Sequence, residues 1–264
     1  MSAIATDVFD GAMQGLEAGF RVLHIATFDL KTCATDDDTE QILAAPELAG
    51  FDHLPVQQGS KIIGVLERKA NPGSGQVARH VRPLEPLSLV SAHAPLRSFI
   101  PHVALSHYWM VVGVTGISGI VTRSDLLKLP VRLHAFTLVT HLETVMAQII
   151  RALRSSDSGW LALLRENRRQ KIAEKQRRLQ QQRLDPPLLE LTDLCDKRDA
   201  VAKLLKLGAD FTAQLRDIEK LRNPLAHAAT FLDDDADVER FVQRMGWAEE
   251  WIMKLPSLAH DASR

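Results

Sequence analysis

Residues 61–70 read KIIGVLERKA, and residues 116–125 read GISGIVTRSD. At an offset of 55 residues Gly64 falls on Gly119, and each glycine precedes a short aliphatic or β-branched stretch and then a charged helix start. Upstream of each lies another apolar run, FDHLPVQQG over 51–59 and HYWMVVGVTG over 107–116. Further upstream a helix-like segment occurs in each copy, over 38–45 and 94–100. Strand, helix, strand, turn, strand, helix start is thus written twice, which predicts a duplicated α/β unit. Asn71-Pro72-Gly73-Ser74-Gly75 reads as a flexible connector between the copies.

The second copy contains Gly119-Ile120-Val121-Thr122-Arg123-Ser124-Asp125. This string resembles the Gly-h-x-Thr/Ser-x-x-Asp signature of CBS domains, and the duplication resembles a tandem CBS pair, a Bateman module. The resemblance implies a regulatory adenine nucleotide (AMP, ADP, ATP or a related nucleotide) in an apolar slot between the paired repeats. It places the Thr122 hydroxyl on phosphate or ribose and the Asp125 carboxylate on the ribose hydroxyls, beside Gly119. A strand-to-helix turn suits this, because its backbone donors face an anion. The same Thr, Ser and Asp would also cap the following helix in any protein. Tyr108 offers a ring to stack on a base, or simply packs beside Trp109. The first copy has Glu67 in the place of Thr122 and Ala70 in the place of Asp125. A carboxylate there repels phosphate, so one competent nucleotide site is expected rather than two.

From Pro130 onward the period changes. Leu133, Phe136, Leu138, Leu142, Val145, Ile149, Ile150 and Leu153 form one broad apolar stripe, which predicts a helix to about residue 154. Further helices are expected over 160–184, stopped by Asp185-Pro186-Pro187, and over 188–207, capped by Gly208. The last two are expected over 211–221 and 238–255. No strand pattern interrupts them, so the second half reads as an all-α bundle. Just before the last helix stands Arg222-Asn223-Pro224-Leu225-Ala226-His227. A guanidinium keeps its charge and forks onto phosphate, and an imidazole takes or gives a proton near neutral pH. Pro224 is expected to break the chain after Arg222 and Asn223.

The Arg-x4-His string within a helical bundle resembles the HEPN superfamily, whose catalytic members are metal-independent ribonucleases. The resemblance covers roughly residues 131–255. It implies a composite site shared by two copies across a two-fold axis, acting on single-stranded or loop RNA. His227 would move protons, Arg222 would stabilise the phosphorane, and Asn223 would orient the imidazole or the phosphate. Glu143, in THLETVMAQII, matches the family's first-helix acid and would hold Arg222 in place, or is an exposed helix glutamate. No catalytic cofactor or metal is implied, and the sequence offers no obvious metal cluster.

Composition is ordinary for a globular chain, with 45% hydrophobic and 25% charged residues among 264. Net charge of −1 conceals an uneven distribution. Between Arg151 and Arg183 there are ten basic residues and only three acids, which reads as a polyanion-binding helix or as a solvated face. No apolar run is seen to approach the ~18 residues that span a bilayer. The first twenty residues lack a basic leader, and Cys33 and Cys195 suggest no disulfide, so a cytoplasmic chain is expected. The expected organisation is a lead-in over 1–20, CBS repeats over 21–70 and 71–130, a HEPN-like domain over 131–255, and a tail over 256–264. Together these readings describe a nucleotide-regulated endoribonuclease acting as a homodimer; the other reading is a non-catalytic nucleotide-sensing or RNA-binding adaptor. Pro130 lies five residues after Asp125, so movement at the nucleotide would be transmitted to the first bundle helix.

Overall fold

The computed structural model describes residues 11, 15, 19–226, 232 and 234–263, apart from the side chains of Asn223 and Ala226. They fall into two compact units, Ala18–Val131 and a second that takes in Arg132–Arg264. In the first unit, β1 (Cys33–Ala34), α1 (Thr39–Ala44), β2 (His53–Gln58) and β3 (Lys61–Glu67) form one copy. After β4 (Arg82–Pro83) come β5 (Leu89–Ser91), α2 (Leu96–Phe99), β6 (Tyr108–Gly113) and β7 (Gly116–Thr122). In each copy a parallel pair is linked through the helix and the last two strands make an antiparallel hairpin. The two hairpins agree in register. Gln58 pairs with Lys61 and Gly113 with Gly116, and a bulge follows Val56 in one and Val111 in the other.

The copies exchange their lead-in segments. Arg82, ahead of the second copy, pairs with Val65 of the first, while Thr27, ahead of the first, bridges to Ile120 of the second. This accounts for the glycines. A Cβ on Gly64 would lie 2.3 Å from the Arg82 carbonyl oxygen, and one on Gly119 would lie 2.9 Å from that of Thr27. Only glycine lets the crossing backbone come so close. Val65, Tyr108 and Met110 are buried together, with Leu30 and Leu84 from the two lead-ins packed against them.

The second unit is helical: α3 (Leu129–Leu153), whose first turn lies in the α/β unit, then α4 (Asp157–Leu161), α5 (Glu166–Gln181), α6 (Leu194–Leu204), α7 (Ala209–Ala226) and α8 (Asp235–Ala262). Leu142, Met146 and Ile150 of α3, Leu194 and Val201 of α6, and Leu215 and Ile218 of α7 are fully buried. Phe211 meets Trp251 edge-on at 4.8 Å, and the Trp251 indole donates to Gln214 at 2.7 Å, which fixes α8 against α7.

Several expected boundaries move. The helix expected over 160–184 is two, because the chain turns between them so that both Trp160 and Leu164 bury. The one expected over 188–207 starts as a 3-10 turn, Leu188–Leu191, and is renucleated by a reciprocal cap between Asp193 and Asp196. Its left-handed stop falls on Lys206 (φ 52°) rather than Gly208, with the Leu207 amide donating to the Ala202 carbonyl. Pro224 does not break α7. The proline stands in the last turn, where Arg132 donates to the Pro224 and Leu225 carbonyls at 2.8 and 3.3 Å. Residues 256–262 are not a tail, since α8 continues through Pro256 with Leu255 and Ala259 buried. Finally, α3 is long and apolar enough to cross a membrane, contrary to the sequence reading, although 56% of its apolar window is buried inside the protein, as in the core helix of a bundle.

Candidate functional site

In the helical unit three elements bring charge to one place. Glu143 projects from α3, Lys197 from α6 and Arg222 from the last turns of α7. The Lys197 ammonium donates to Glu143 at 2.8 Å and to the Thr192 carbonyl at 2.9 Å. The other Glu143 oxygen lies 3.7 Å from the Arg222 guanidinium. Lys197 is 6% exposed, Glu143 18% and Arg222 42%, so a half-buried carboxylate backs a cation that reaches solvent. Low-dielectric surroundings strengthen such pairs and screening by salt is weak there. His227 and the Asn223 side chain lie outside the described residues.

A second group adjoins the first through α6. Arg168 of α5 forks onto Asp196 at 2.7 and 2.6 Å and reaches Asp193 at 2.6 Å. These bonds, first to Asp196 and then to Asp193, hold the Arg168 proton above its ordinary affinity. Burial pushes the Asp193 carboxyl up, but the Arg168 hydrogen bond and the charges of Lys175 and Arg222 leave it below its usual value. Cys195 sits with the two acids, their ligand atoms within 4.8 Å of one another, a cluster the sequence reading did not find. Both carboxylates already hold Arg168, and burial followed by the Asp196 charge pushes the Cys195 thiol up. Lys197 and Arg168 were not singled out from sequence. The available signal was a lysine on the apolar face of α6, in step with Leu194 and Val201.

In the α/β unit Thr122 and Asp125 stand at the turn that ends β7, and Tyr108 lies on the neighbouring strand. Thr122 and Asp125 close a reciprocal cap: the Thr122 amide donates to Asp125 at 2.6 Å and its hydroxyl lies 3.0 Å from the same oxygen. The other Asp125 oxygen is 2.7 Å from Lys128, which donates to the Ile25 carbonyl at 2.5 Å. The capping alternative is therefore present. Gly119 is taken up by the Thr27 crossing. Tyr108 pairs with Thr122 across the hairpin, yet its side chain helps line a cavity of about 230 Å³ with Glu67, Arg82, Glu85, Ser106 and His107. That is a little below the ~300–1,000 Å³ usual for small-molecule sites, and the cavity is open to solvent. Arg82 pairs with Glu67 at 3.2 Å, so the carboxylate expected to repel phosphate is partly compensated. His53 packs on Tyr108 with ring centres 4.9 Å apart. Burial lowers the His53 imidazole against the pull of Glu67 and Asp52, and burial followed by the Glu67 charge raises the Tyr108 phenol.

No family model and no curated protein matches the chain. Among solved structures, the CBS domain of a bacterial CNNM/CorC family Mg2+ transporter in complex with ATP is 21% identical, with a TM-score of 0.37 over 45% of this chain and 92% of that one. CBSX2 in complex with AMP is 16% identical, with a TM-score of 0.37 over 44% of this chain and 98% of that one. A CBS domain protein of Thermoplasma acidophilum is 18% identical, with a TM-score of 0.35 over 40% and 67%.

Proposed function

We propose that this chain is a metal-independent endoribonuclease of HEPN type, regulated by an adenine nucleotide bound to a tandem CBS unit. The observation that carries the catalytic half is the Glu143–Arg222 pair, seated on Lys197, five residues ahead of His227. In this reading Arg222 places fixed positive charge on the scissile phosphate and stabilises the phosphorane. His227 takes the 2′-hydroxyl proton or supplies one to the 5′ oxygen, and Asn223 orients it. One Arg–His pair provides too few groups for both transfers, so two copies of the chain complete the site. The products are a 2′,3′-cyclic phosphate and a 5′-hydroxyl.

The regulatory half is supported by the twofold repetition of hairpin, bulge and exchanged lead-in, and by the hydroxyl and carboxylate that Thr122 and Asp125 hold at a turn. Ribose binding there exchanges the Asp125–Lys128 contact for sugar hydroxyls, with Tyr108 beside the base.

The test is cleavage of single-stranded RNA in EDTA, with and without AMP or ATP. Wild type is expected to cut, and Arg222→Ala and His227→Ala to lose roughly 10²–10⁴-fold. Binding without cutting would select the adaptor reading, which the exposed basic helix α5 favours.

A further inference from the structure

We propose that the outward face of α5 is the surface that tracks the RNA backbone and delivers the strand to the Arg222 group. The inference rests on RNA being the partner, as above, and adds where the strand lies.

Over its 16 residues, about 24 Å of helix, α5 turns only Ile172 fully inward. Arg168 is spent on Asp193 and Asp196, Arg169 on Glu166, and Lys175 donates to the Leu191 carbonyl. Arg165, Lys171, Arg178 and Arg183 are exposed and, among the described residues, form no ion pair. Lys171 and Arg178 are seven apart, two turns along one edge of the helix. The exposed Glu174 stands between them on the same edge, but cations outnumber acids along the helix, and such a surface is what a polyphosphate backbone recognises without reading sequence.

The row is also connected to the candidate site. Arg168, in the first turn of α5, is fixed to Asp193 and Asp196, and the next residue, Lys197, holds the Glu143 carboxylate that also faces Arg222. The basic edge therefore starts on a helix bonded to the one whose lysine belongs to the Arg222 group. An acidic protein would be met by charge alone. A flexible single strand can also follow the edge from Lys171 to Arg178, about 10 Å along the helix, where a folded acidic surface cannot bend to it, and this favours RNA.

The experiment titrates a short labelled single-stranded RNA with the full chain carrying His227→Ala, so that the strand stays intact, between about 50 and 200 mM KCl. Reversal of two charges, Lys171→Glu with Arg178→Glu, is expected to weaken binding at least tenfold at the lower salt. It should also flatten the slope of log K against log salt by about 1.4, at ~0.7 per phosphate contact on a single strand. The neutral pair Lys171→Gln with Arg178→Gln should fall between, and the far-ultraviolet dichroism of all variants should match wild type. Unchanged affinity and slope in the reversed variant would overturn the proposal. So would tighter binding of anionic phospholipid vesicles or of a polyglutamate peptide than of RNA. Wild type that binds RNA through α5 but never cuts it would sink the nuclease and leave this surface standing. Cleavage by wild type alongside unaltered binding by the variants would do the reverse.

Discussion

Lys197 is buried in a helical core with two oxygens, on Glu143 and Thr192, within 2.9 Å of its ammonium nitrogen. Desolvating an ammonium costs several kcal/mol even after relaxation. The attraction to Glu143 offsets about that much, on the order of 5 kcal/mol at an effective dielectric near 20. The pair is thus close to neutral for stability, while either half alone is not. Lys197→Met should lower unfolding stability in urea by roughly 3 kcal/mol, because Glu143 keeps only the more distant, half-exposed Arg222. Adding Glu143→Leu should recover most of that loss. A single variant within about 1 kcal/mol of wild type would show that the carboxylate does not depend on Lys197. Sequence pointed to Glu143 and Arg222 through a family resemblance, but not to Lys197, whose importance comes from a contact 54 positions away. Thr122 and Asp125 show the converse. The residues were recognisable, but a hydroxyl and a carboxylate three apart have a local partner in each other, and spacing cannot say whether a ligand or a cap holds them.

Repetition makes the two hairpins readable in the sequence, down to the glycine at the same step of each. The exchange of lead-ins is not, because a two-residue strand such as β4 has no period and its partner belongs to the other copy. Another repeated device went unseen for the same reason. Arg68, just past β3, donates to the Leu43, Leu48 and Phe51 carbonyls at 2.7 to 3.1 Å. Arg123, 55 residues later and just past β7, donates to Ala104 and Ser106 at 3.1 Å. Each guanidinium ties the end of a hairpin to the loop that delivers its first strand. Arg68→Met and Arg123→Met should each cost about 2–3 kcal/mol, since they strand carbonyls that now receive charged donors. Lys69→Met, which removes a mostly exposed pair with Asp52, should cost under about 1 kcal/mol. Chemical denaturation of the three variants decides this, and equal losses at Lys69 and Arg68 would refute the clamp. Helix ends were misjudged where a cap lay in side chains, as at Asp193 and Asp196, rather than in the Gly and Pro that punctuate a sequence.

The chain passes from its α/β unit to its helical unit between Val131 and Arg132, inside the single helix α3. Two units with separate cores can hold two independent activities, and joining them on one chain does not by itself make one control the other. Regulation has a thermodynamic signature that can be tested without knowing its structural route. If a nucleotide on the first unit changes RNA affinity by some factor, RNA must change nucleotide affinity by the same factor. With His227→Ala, both legs can be measured as equilibria: AMP or ATP binding with and without saturating RNA, and RNA binding with and without saturating nucleotide. The expected factor lies in the ~5–150 range of ordinary allosteric coupling, equal in the two legs. Nucleotide at about 100 times its Kd should also stabilise the unit that binds it by about 2.7 kcal/mol, visible as a raised melting transition. Asp125→Asn should abolish that shift if the nucleotide sits at the Thr122 turn, while Arg82→Gln should abolish it if the nucleotide phosphate uses the Tyr108 cavity. A coupling factor of one in both legs, with the melting shift intact, would mean that the chain carries a sensor and an RNA-handling bundle that do not communicate.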